Sequence, residues 1–206
     1  MPLLTQQNHD AILAAIEDIN TMCSGTPGVL LTEGDLQCLF FRRLSSVEAF
    51  GAPVATQDHH ILASPTHAEV SWFDDEGRLT IKPDITILDP AHLSLLHEVG
   101  SLKSPPSKGF HFTGNAFIFE LKFARSRRGI SEAVLKKIKK DFEKVERLFS
   151  KLADDGDADN VYCYLIIFSR YNIAVPAWNA FFEAKQTGPH WKIIYKSLNI
   201  APFDNH

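Results

Sequence analysis

Three charged side chains interrupt two runs of residues that otherwise favour β-strands. Asp84 lies in residues 82–89 (KPDITILD), and Glu120 and Lys122 lie in residues 117–122 (FIFELK). A purely structural strand would carry another Ile or Val at such positions, so charge there requires a reason. Because alternate residues of a strand share a face, Glu120 and Lys122 project to the same side, and the residue between them offers only its backbone carbonyl.

Two carboxylates and a lysine are the groups that metal-assisted hydrolysis of a phosphodiester requires. Mg²⁺ prefers carboxylate and carbonyl oxygens, and it both polarises the phosphate and lowers the pKa of bound water. A lysine close to the two carboxylates can stabilise the charge that develops at phosphorus. If the strand of Asp84 lies beside the strand of Glu120, the sequence predicts that the three side chains meet in one site.

Two helices are predicted before these strands. The first covers about residues 8–22, where apolar residues recur at helical spacing. The second covers about residues 32–47, with Thr32 as its N-cap and one apolar stripe. Glu33 and Asp35 both lie in the first turn of this second helix. The sequence does not fix the phase of the helix, so either acid can face the predicted site.

Three β-like runs follow, at about residues 59–73, 78–88 and 116–123, and the first two are expected to form an antiparallel hairpin. Residues 90–114 form a loop rich in Pro and Gly, with a short helix expected near 93–99. An inserted loop of this length is usually either functional or disordered. If it contacts a substrate, the expected contact residues are Lys103, Lys108, Phe110 and His111.

The second half of the chain predicts an α/β fold. An amphipathic helix at about residues 131–152 precedes a fully apolar strand at 161–168, and a short helix after Pro176 precedes a last strand at 191–198. A continuous apolar strand after an amphipathic helix is typical of a central strand that is covered on both faces. The chain of 206 residues is therefore expected to form one domain with a mixed sheet.

The net charge of −4 argues against a protein that coats nucleic acid nonspecifically, but it hides an asymmetry. Residues 122–151 contain eleven Lys and Arg and four acids, which gives +7 there and −11 in the rest of the chain. This basic segment suits a phosphodiester substrate, and the simpler alternative is a solvated helix face. Asp141 and Lys144 are interpreted as a surface ion pair at three-residue spacing. The residues predicted to contact nucleic acid are Lys82, Arg125, Arg127, Arg128, Lys136, Lys137 and Lys140.

The composition also bears on the cellular compartment. Cys23, Cys38 and Cys163 are too scattered for a disulfide framework, and none belongs to a Cys-x-x-Cys zinc pair. The longest apolar stretch, residues 161–168, is far shorter than the roughly 18 to 20 residues that a membrane-spanning helix requires. The first residues do not have the basic and apolar pattern of a secretory signal. A soluble, cytoplasmic protein with no membrane partner is therefore expected.

The content and order of these motifs resemble the PD-(D/E)XK nuclease superfamily. The resemblance covers roughly residues 32–168 and depends on Pro83-Asp84 and on Glu120-Leu121-Lys122. It implies that Asp84 and Glu120, together with the backbone carbonyl of Leu121, bind Mg²⁺ or Mn²⁺, and that Lys122 positions or activates the attacking water. Many members have a further metal-binding Glu in the helix before the hairpin. Glu33 is the position matched to it, and Asp35 is the open alternative.

The resemblance also implies a fold. That fold is restriction-endonuclease-like, with a central mixed sheet flanked by helices on both faces. A single nuclease domain would then cover residues 1–206, with its core at 31–170, an N-terminal helix within 1–30 and the inserted loop at 90–114. The helix after the core strand lacks the Gln-x-x-x-Tyr of the exonucleases that are coupled to helicases, and this disfavours that branch.

The implied activity is that of a Mg²⁺-dependent hydrolase, a nuclease that leaves 5′-phosphate and 3′-hydroxyl ends. DNA is the expected substrate, while the sequence leaves open RNA, endonuclease against exonuclease action, sequence specificity and biological role. Cleavage of both strands of a duplex would favour a homodimer with one active site for each strand. Two alternatives stand beside it: a catalytically inactive domain of the same fold that binds nucleic acid or a protein, and an unrelated hydrolase of small phosphoesters.

Overall fold

A mixed five-stranded sheet lies at the centre of the protein. The structure is a computed structural model, and it describes residues 3–58, 61–73, 79–94 and 111–199. The strand order is β5-β4-β3-β2-β1, in which β3, β4 and β5 are parallel and β2 and β1 run antiparallel to their neighbours. The strands are β1 (Thr66–Ala68), β2 (Ile85–Leu88), β3 (Ala116–Ala124), β4 (Val161–Ser169) and β5 (Trp191–Ser197).

Helices, short turns and two-stranded ribbons surround this sheet. The helices are α1 (Gln6–Gly25), α2 (Glu33–Ser45), α3 (Glu48–Gly51), α4 (Glu132–Asp155) and α5 (Pro176–Lys185). Three-residue 3₁₀ turns cover Pro27–Val29, Pro90–His92 and Ala158–Asn160. The antiparallel ribbons pair Val54–Ala55 with Leu62–Ala63, Trp72–Phe73 with Leu79–Ile81, and Leu93–Ser94 with His111–Phe112.

The sheet is covered by helices on both faces, as the sequence predicts. Along β3, Phe117, Phe119 and Leu121 pack in one core cluster with the apolar sides of α1 and α2. Ile118 packs on the opposite face, in a cluster with three residues of α4. Because strand residues alternate between faces, Glu120 and Lys122 lie on the side of α4. The sheet therefore presents the predicted catalytic residues to one helix.

Helix α4 packs on the face of the sheet that carries Glu120 and Lys122. Its N-cap is Ser131, whose hydroxyl accepts a hydrogen bond from the Val134 N–H, and its end is capped by Gly156 at φ 81°. The buried side carries apolar residues that each contribute about 1.5–3 kcal/mol when fully removed from water. That side also carries Asp141, which is buried. The apolar residues are Leu135, Ile138, Phe142, Val145, Leu148 and Phe149.

Most element predictions are confirmed within a few residues, and the helix predicted near 93–99 is wrong at residues 93–94, the part of it that the structure describes. Instead of beginning a helix near residue 93, Leu93–Ser94 pairs as a strand with His111–Phe112. The predicted hairpin occurs, because β1 pairs antiparallel with β2. Residues 95–110 lie outside the described part of the chain, and with them the predicted contacts at Lys103, Lys108 and Phe110. No described helix combines the length and the apolar character needed to cross a membrane.

Candidate active site

Asp84 lies where β2 begins, and its carboxylate takes part in the pairing with β3. The Asp84 N–H donates to the carbonyl of Phe119 at 3.0 Å, and the Leu121 N–H donates to Oδ2 of Asp84 at 2.7 Å. The backbone carbonyl of Asp84 is turned away from β3 and accepts from Gln37 Nε2 at 2.8 Å and from the Glu69 N–H at 3.1 Å. Four hydrogen bonds therefore fix both the backbone and the side chain of Asp84.

Glu120 is a buried acid in the middle of β3. Its exposed fraction is 5%, and within the described part of the chain no hydrogen-bond donor contacts its carboxylate. Burial is the main reason that the pKa of Glu120 is raised to about 8, and the carboxylates of Asp84 and Asp141 add to the effect. Burial also raises the pKa of Asp84, although the bond from Leu121 opposes this. The floor of the site therefore favours a proton or a cation.

Lys122 is held between two carboxylates. Its Nζ lies 3.1 Å from Oε1 of Glu33 and 3.1 Å from Oδ2 of Asp141. Burial by itself would lower the pKa of Lys122, but the charges of Asp141 and Glu33 and their hydrogen bonds to the ammonium outweigh burial and raise it. Lys122 is therefore a fixed positive charge at neutral pH.

The structure distinguishes the two acids at the start of α2. Asp35 belongs to a capping box, in which its carboxylate accepts from the N–H groups of Thr32 and Leu31 at 2.8 and 3.0 Å. These bonds lower the pKa of Asp35. Glu33 instead points to β3, where its Oε2 accepts from the Phe123 N–H at 3.3 Å and its Oε1 contacts the ammonium described above. Of the two candidates, Glu33 reaches the site.

Asp141 of α4 is a site residue that the sequence interpretation missed. Asp141 is 8% exposed, and its Oδ1 accepts from Lys144 Nζ at 2.7 Å while its Oδ2 contacts Lys122. The predicted pairing of Asp141 with Lys144 is confirmed, but Asp141 is buried rather than at the surface, and its other oxygen contacts the half-buried Lys122 of β3. The sequence carried one indication, since Asp141 stands on the apolar side of α4 between Ile138 and Val145.

The basic residues predicted to contact nucleic acid lie on three different segments of the chain. Lys82 is exposed and forms an ion pair with Glu69. Helical spacing places Lys137 on the flank of Asp141, one turn earlier, while Lys136 lies farther round α4. The remaining predicted contacts, which are all exposed, are Arg125, Arg127 and Arg128 in the loop after β3 and Lys140 on α4.

Several acids surround one lysine at this site, but they are not gathered as a metal-binding cluster. In residues 3–58, 61–73, 79–94 and 111–199, no group of three or more His, Cys, Asp and Glu side chains is arranged to hold a metal ion. Glu33 and Asp141 are bonded to Lys122, and Asp84 is bonded to the backbone of β3. The metal assignments of Asp84, Glu120, Glu33 and the Leu121 carbonyl thus stay predictions.

Comparison with known proteins adds no family to this description. No family model, no curated protein and no solved structure matches the chain. The resemblance to the PD-(D/E)XK superfamily accordingly stays a prediction from the motifs. The structure itself is α/β, with a mixed five-stranded sheet.

Proposed function

We propose that the protein is a metal-dependent nuclease with a restriction-endonuclease-like fold. The observation that carries this proposal is the convergence of Asp84, Glu120 and Lys122 beside α4, at the junction of β2 and β3. The order of elements supports it too, because an acid-bearing helix, an antiparallel pair, the Glu-x-Lys strand, a helix and a further strand follow each other along the chain.

The donor types at the site, carboxylate and carbonyl oxygens, are those that a hard divalent cation prefers. Glu120 is buried with a raised pKa, and the nearby charge of Asp84 contributes to that rise. A cation would offset both the burial of the charge and the mutual repulsion of the two carboxylates. Asp84, Glu120 and the Leu121 carbonyl would hold it, and Glu33 is a further candidate ligand. When bound, Mg²⁺ or Mn²⁺ supplies polarisation of the phosphate and a lower pKa for bound water.

Lys122 acts in this proposal as a positive charge and a hydrogen-bond donor. Its raised pKa makes it unsuited to remove a proton from water at neutral pH. Its ammonium is instead held in place by Glu33 and Asp141, each at 3.1 Å. A fixed cation of this kind stabilises the negative charge that forms at phosphorus during in-line attack. The products would carry 5′-phosphate and 3′-hydroxyl ends.

The surrounding charge supports a nucleic acid as the substrate. Exposed arginines follow β3 directly, and the exposed Lys137 and Lys140 lie on α4 within about one turn before Asp141. DNA is the substrate that we propose, and a homodimer would be expected if both strands of a duplex are cut. The basic residues that would contact phosphates are Arg125, Arg127, Arg128, Lys137 and Lys140.

A cleavage panel tests the proposal. Circular and linear duplex DNA, single-stranded DNA and RNA are incubated with Mg²⁺, Mn²⁺ or EDTA. We expect metal-dependent cutting by the wild type and a loss of about 100-fold or more in Lys122→Ala, because an interaction with developing charge is removed. Lys139→Ala is the matched control, since this exposed lysine of α4 lies over the ring of Phe181 and away from Lys122. Asp84→Asn should be inactive and still folded.

Two results would contradict the proposal. Cutting by Lys122→Ala at the wild-type rate would remove the lysine from the reaction. A folded wild type that cuts none of the substrates with either metal would favour the inactive nucleic-acid-binding or protein-binding domain.

A further inference from the structure

A cavity lies directly beside Asp84, on the side of α2. Its volume is about 460 Å³, and we call it the α2 pocket; it is lined by Gln37, Cys38, Phe41, Ala68 and Glu69. Two of its lining residues bond the same atom of the candidate site, since Gln37 Nε2 and the Glu69 N–H both donate to the backbone carbonyl of Asp84. A molecule in the pocket would therefore lie beside the backbone of Asp84, next to the proposed site of cleavage.

The turn at the pocket rim has an uncommon backbone conformation. Glu69 has φ 54°, in the left-handed region that favours glycine, although it carries a full side chain. Such strained residues concentrate at functional sites and binding clamps. In this turn the Glu69 N–H donates to the Asp84 carbonyl, and the Glu69 carboxylate forms an ion pair with Lys82. The strained turn thus joins the pocket rim to the candidate active site.

The chemistry of the lining suits a flat ligand with apolar faces and polar edges. Phe41 and Ala68 supply apolar surface, while the amide of Gln37 and the Glu69–Lys82 pair stand at the rim. A nucleobase has this combination, because its π-faces stack on aromatic rings and its edges carry donors and acceptors. An apolar peptide side chain would fill the same volume but would make no use of the hydrogen-bonding groups at the rim.

We propose that the α2 pocket receives one unpaired nucleobase from the strand whose phosphate lies at Asp84. This inference rests on the proposed nuclease function, and it narrows the substrate class. A base can enter the pocket only when it is outside a duplex stack, as it is in a single strand. The preferred substrate is then a strand with at least one unpaired nucleotide beside the cleaved bond.

The thiol of Cys38 allows binding to be measured without cleavage. Cys38 is exposed and lines the pocket, whereas Cys23 and Cys163 are buried, so a thiol reagent should modify Cys38 first. The rate of modification by N-ethylmaleimide is measured for Asp84→Asn in EDTA, with and without saturating ligand. The ligands are a short single-stranded oligonucleotide, an abasic strand of the same length and charge, and a blunt duplex. We expect the oligonucleotide alone to slow modification, by about fivefold or more.

Variants of the pocket separate the stacking of a base from the general affinity of the protein for a nucleic-acid strand. We expect Phe41→Ala to weaken binding of the oligonucleotide about tenfold and to leave binding of the abasic strand unchanged. Because Phe41 also packs against the core, Ala68→Leu provides a second variant that fills the pocket from an exposed position. Met22→Ala, at an exposed apolar residue of α1, is the control and should bind as the wild type does.

The outcomes distinguish this inference from the proposed function. Equal protection by the abasic strand, equal protection by the blunt duplex, or no protection by any strand would overturn the base pocket. If the wild type still cuts DNA in those cases, the nuclease proposal stands without it. Selective protection by the unpaired strand would support the pocket, even if the cleavage panel shows no cutting and the nuclease proposal fails.

Discussion

The buried carboxyl of Glu120 should make the metal-free protein less stable as the pH rises. In the folded protein the pKa of Glu120 is raised from its ordinary 4.5 to about 8. Between these two values the folded state keeps a proton that the unfolded state has lost, so stability falls with increasing pH through this window. Each pH unit of difference corresponds to about 1.4 kcal/mol, which gives a total cost of about 3–5 kcal/mol for the ionised group at and above pH 8.

Glu120→Gln removes this cost, because the amide resembles the neutral acid in shape and cannot ionise. The free energies of unfolding of both proteins are measured with urea in EDTA from about pH 5.5 to about pH 8.5. We expect the advantage of the variant to grow by about 3 kcal/mol across this range. The comparison cancels titrations that Glu120 does not influence, whereas the titration of Asp84, whose pKa burial also raises, is coupled to Glu120 and contributes to the difference.

Metal provides the second half of this experiment. At pH 8, Mn²⁺ should stabilise the wild type by about 2.7 kcal/mol when its concentration is about 100 times its dissociation constant. The same addition should affect Glu120→Gln much less. Parallel pH profiles of the two proteins would refute the reasoning about Glu120, and equal stabilisation by Mn²⁺ would show that the cation does not bind there.

Two further predictions concern α4 and the basic loop before it. Asp141→Asn removes one of the two charged partners of Lys122. We therefore expect kcat of the cleavage to fall about tenfold or more with KM little changed, and the free energy of unfolding in urea to fall by about 1–3 kcal/mol. A change in KM alone would contradict a positioning role. Gly129→Ala should destabilise by about 2–4 kcal/mol, because φ is 55° and the new Cβ would meet the Ile173 carbonyl oxygen at 2.0 Å. Gly156→Ala is the matched control, because φ is 81° there but the new Cβ would meet no other atom; it should lower the free energy of unfolding in urea by about 1 kcal/mol. Equal losses of stability in the two variants would contradict the steric argument.

Local chemistry explains why the elements could be predicted from the sequence. Thr32 and Ser131 both act as N-caps, and each precedes an apolar stripe at helical spacing. The strands β3 and β4 are long runs of β-branched and aromatic residues. The segment after β2 carried no comparable periodicity. Leu93–Ser94 is a strand through its pairing with His111–Phe112, and a partner so far along the chain leaves no local pattern in the sequence.

In the candidate site too, local geometry could be predicted from the sequence, whereas contacts between distant segments could not. Glu120 and Lys122 share a face by strand geometry alone, so the sequence was sufficient to place them together. The phase of α4 against β3 depends on packing between distant segments, and for this reason the role of Asp141 was missed. The choice between Glu33 and Asp35 could have been made from the sequence, because an acid three residues after Thr32 completes a capping box.

The charge balance of the site gives a physical reason for a divalent cation in particular. Four carboxylates, those of Glu33, Asp84, Glu120 and Asp141, meet two ammonium groups, those of Lys122 and Lys144, so the fully ionised group carries a charge of −2. A proton on the buried glutamate reduces this to −1, in line with its pKa of about 8. A divalent cation would neutralise the whole group and would bring an open position for a phosphate oxygen. The two lysines cannot replace it, because each is already bonded to Asp141.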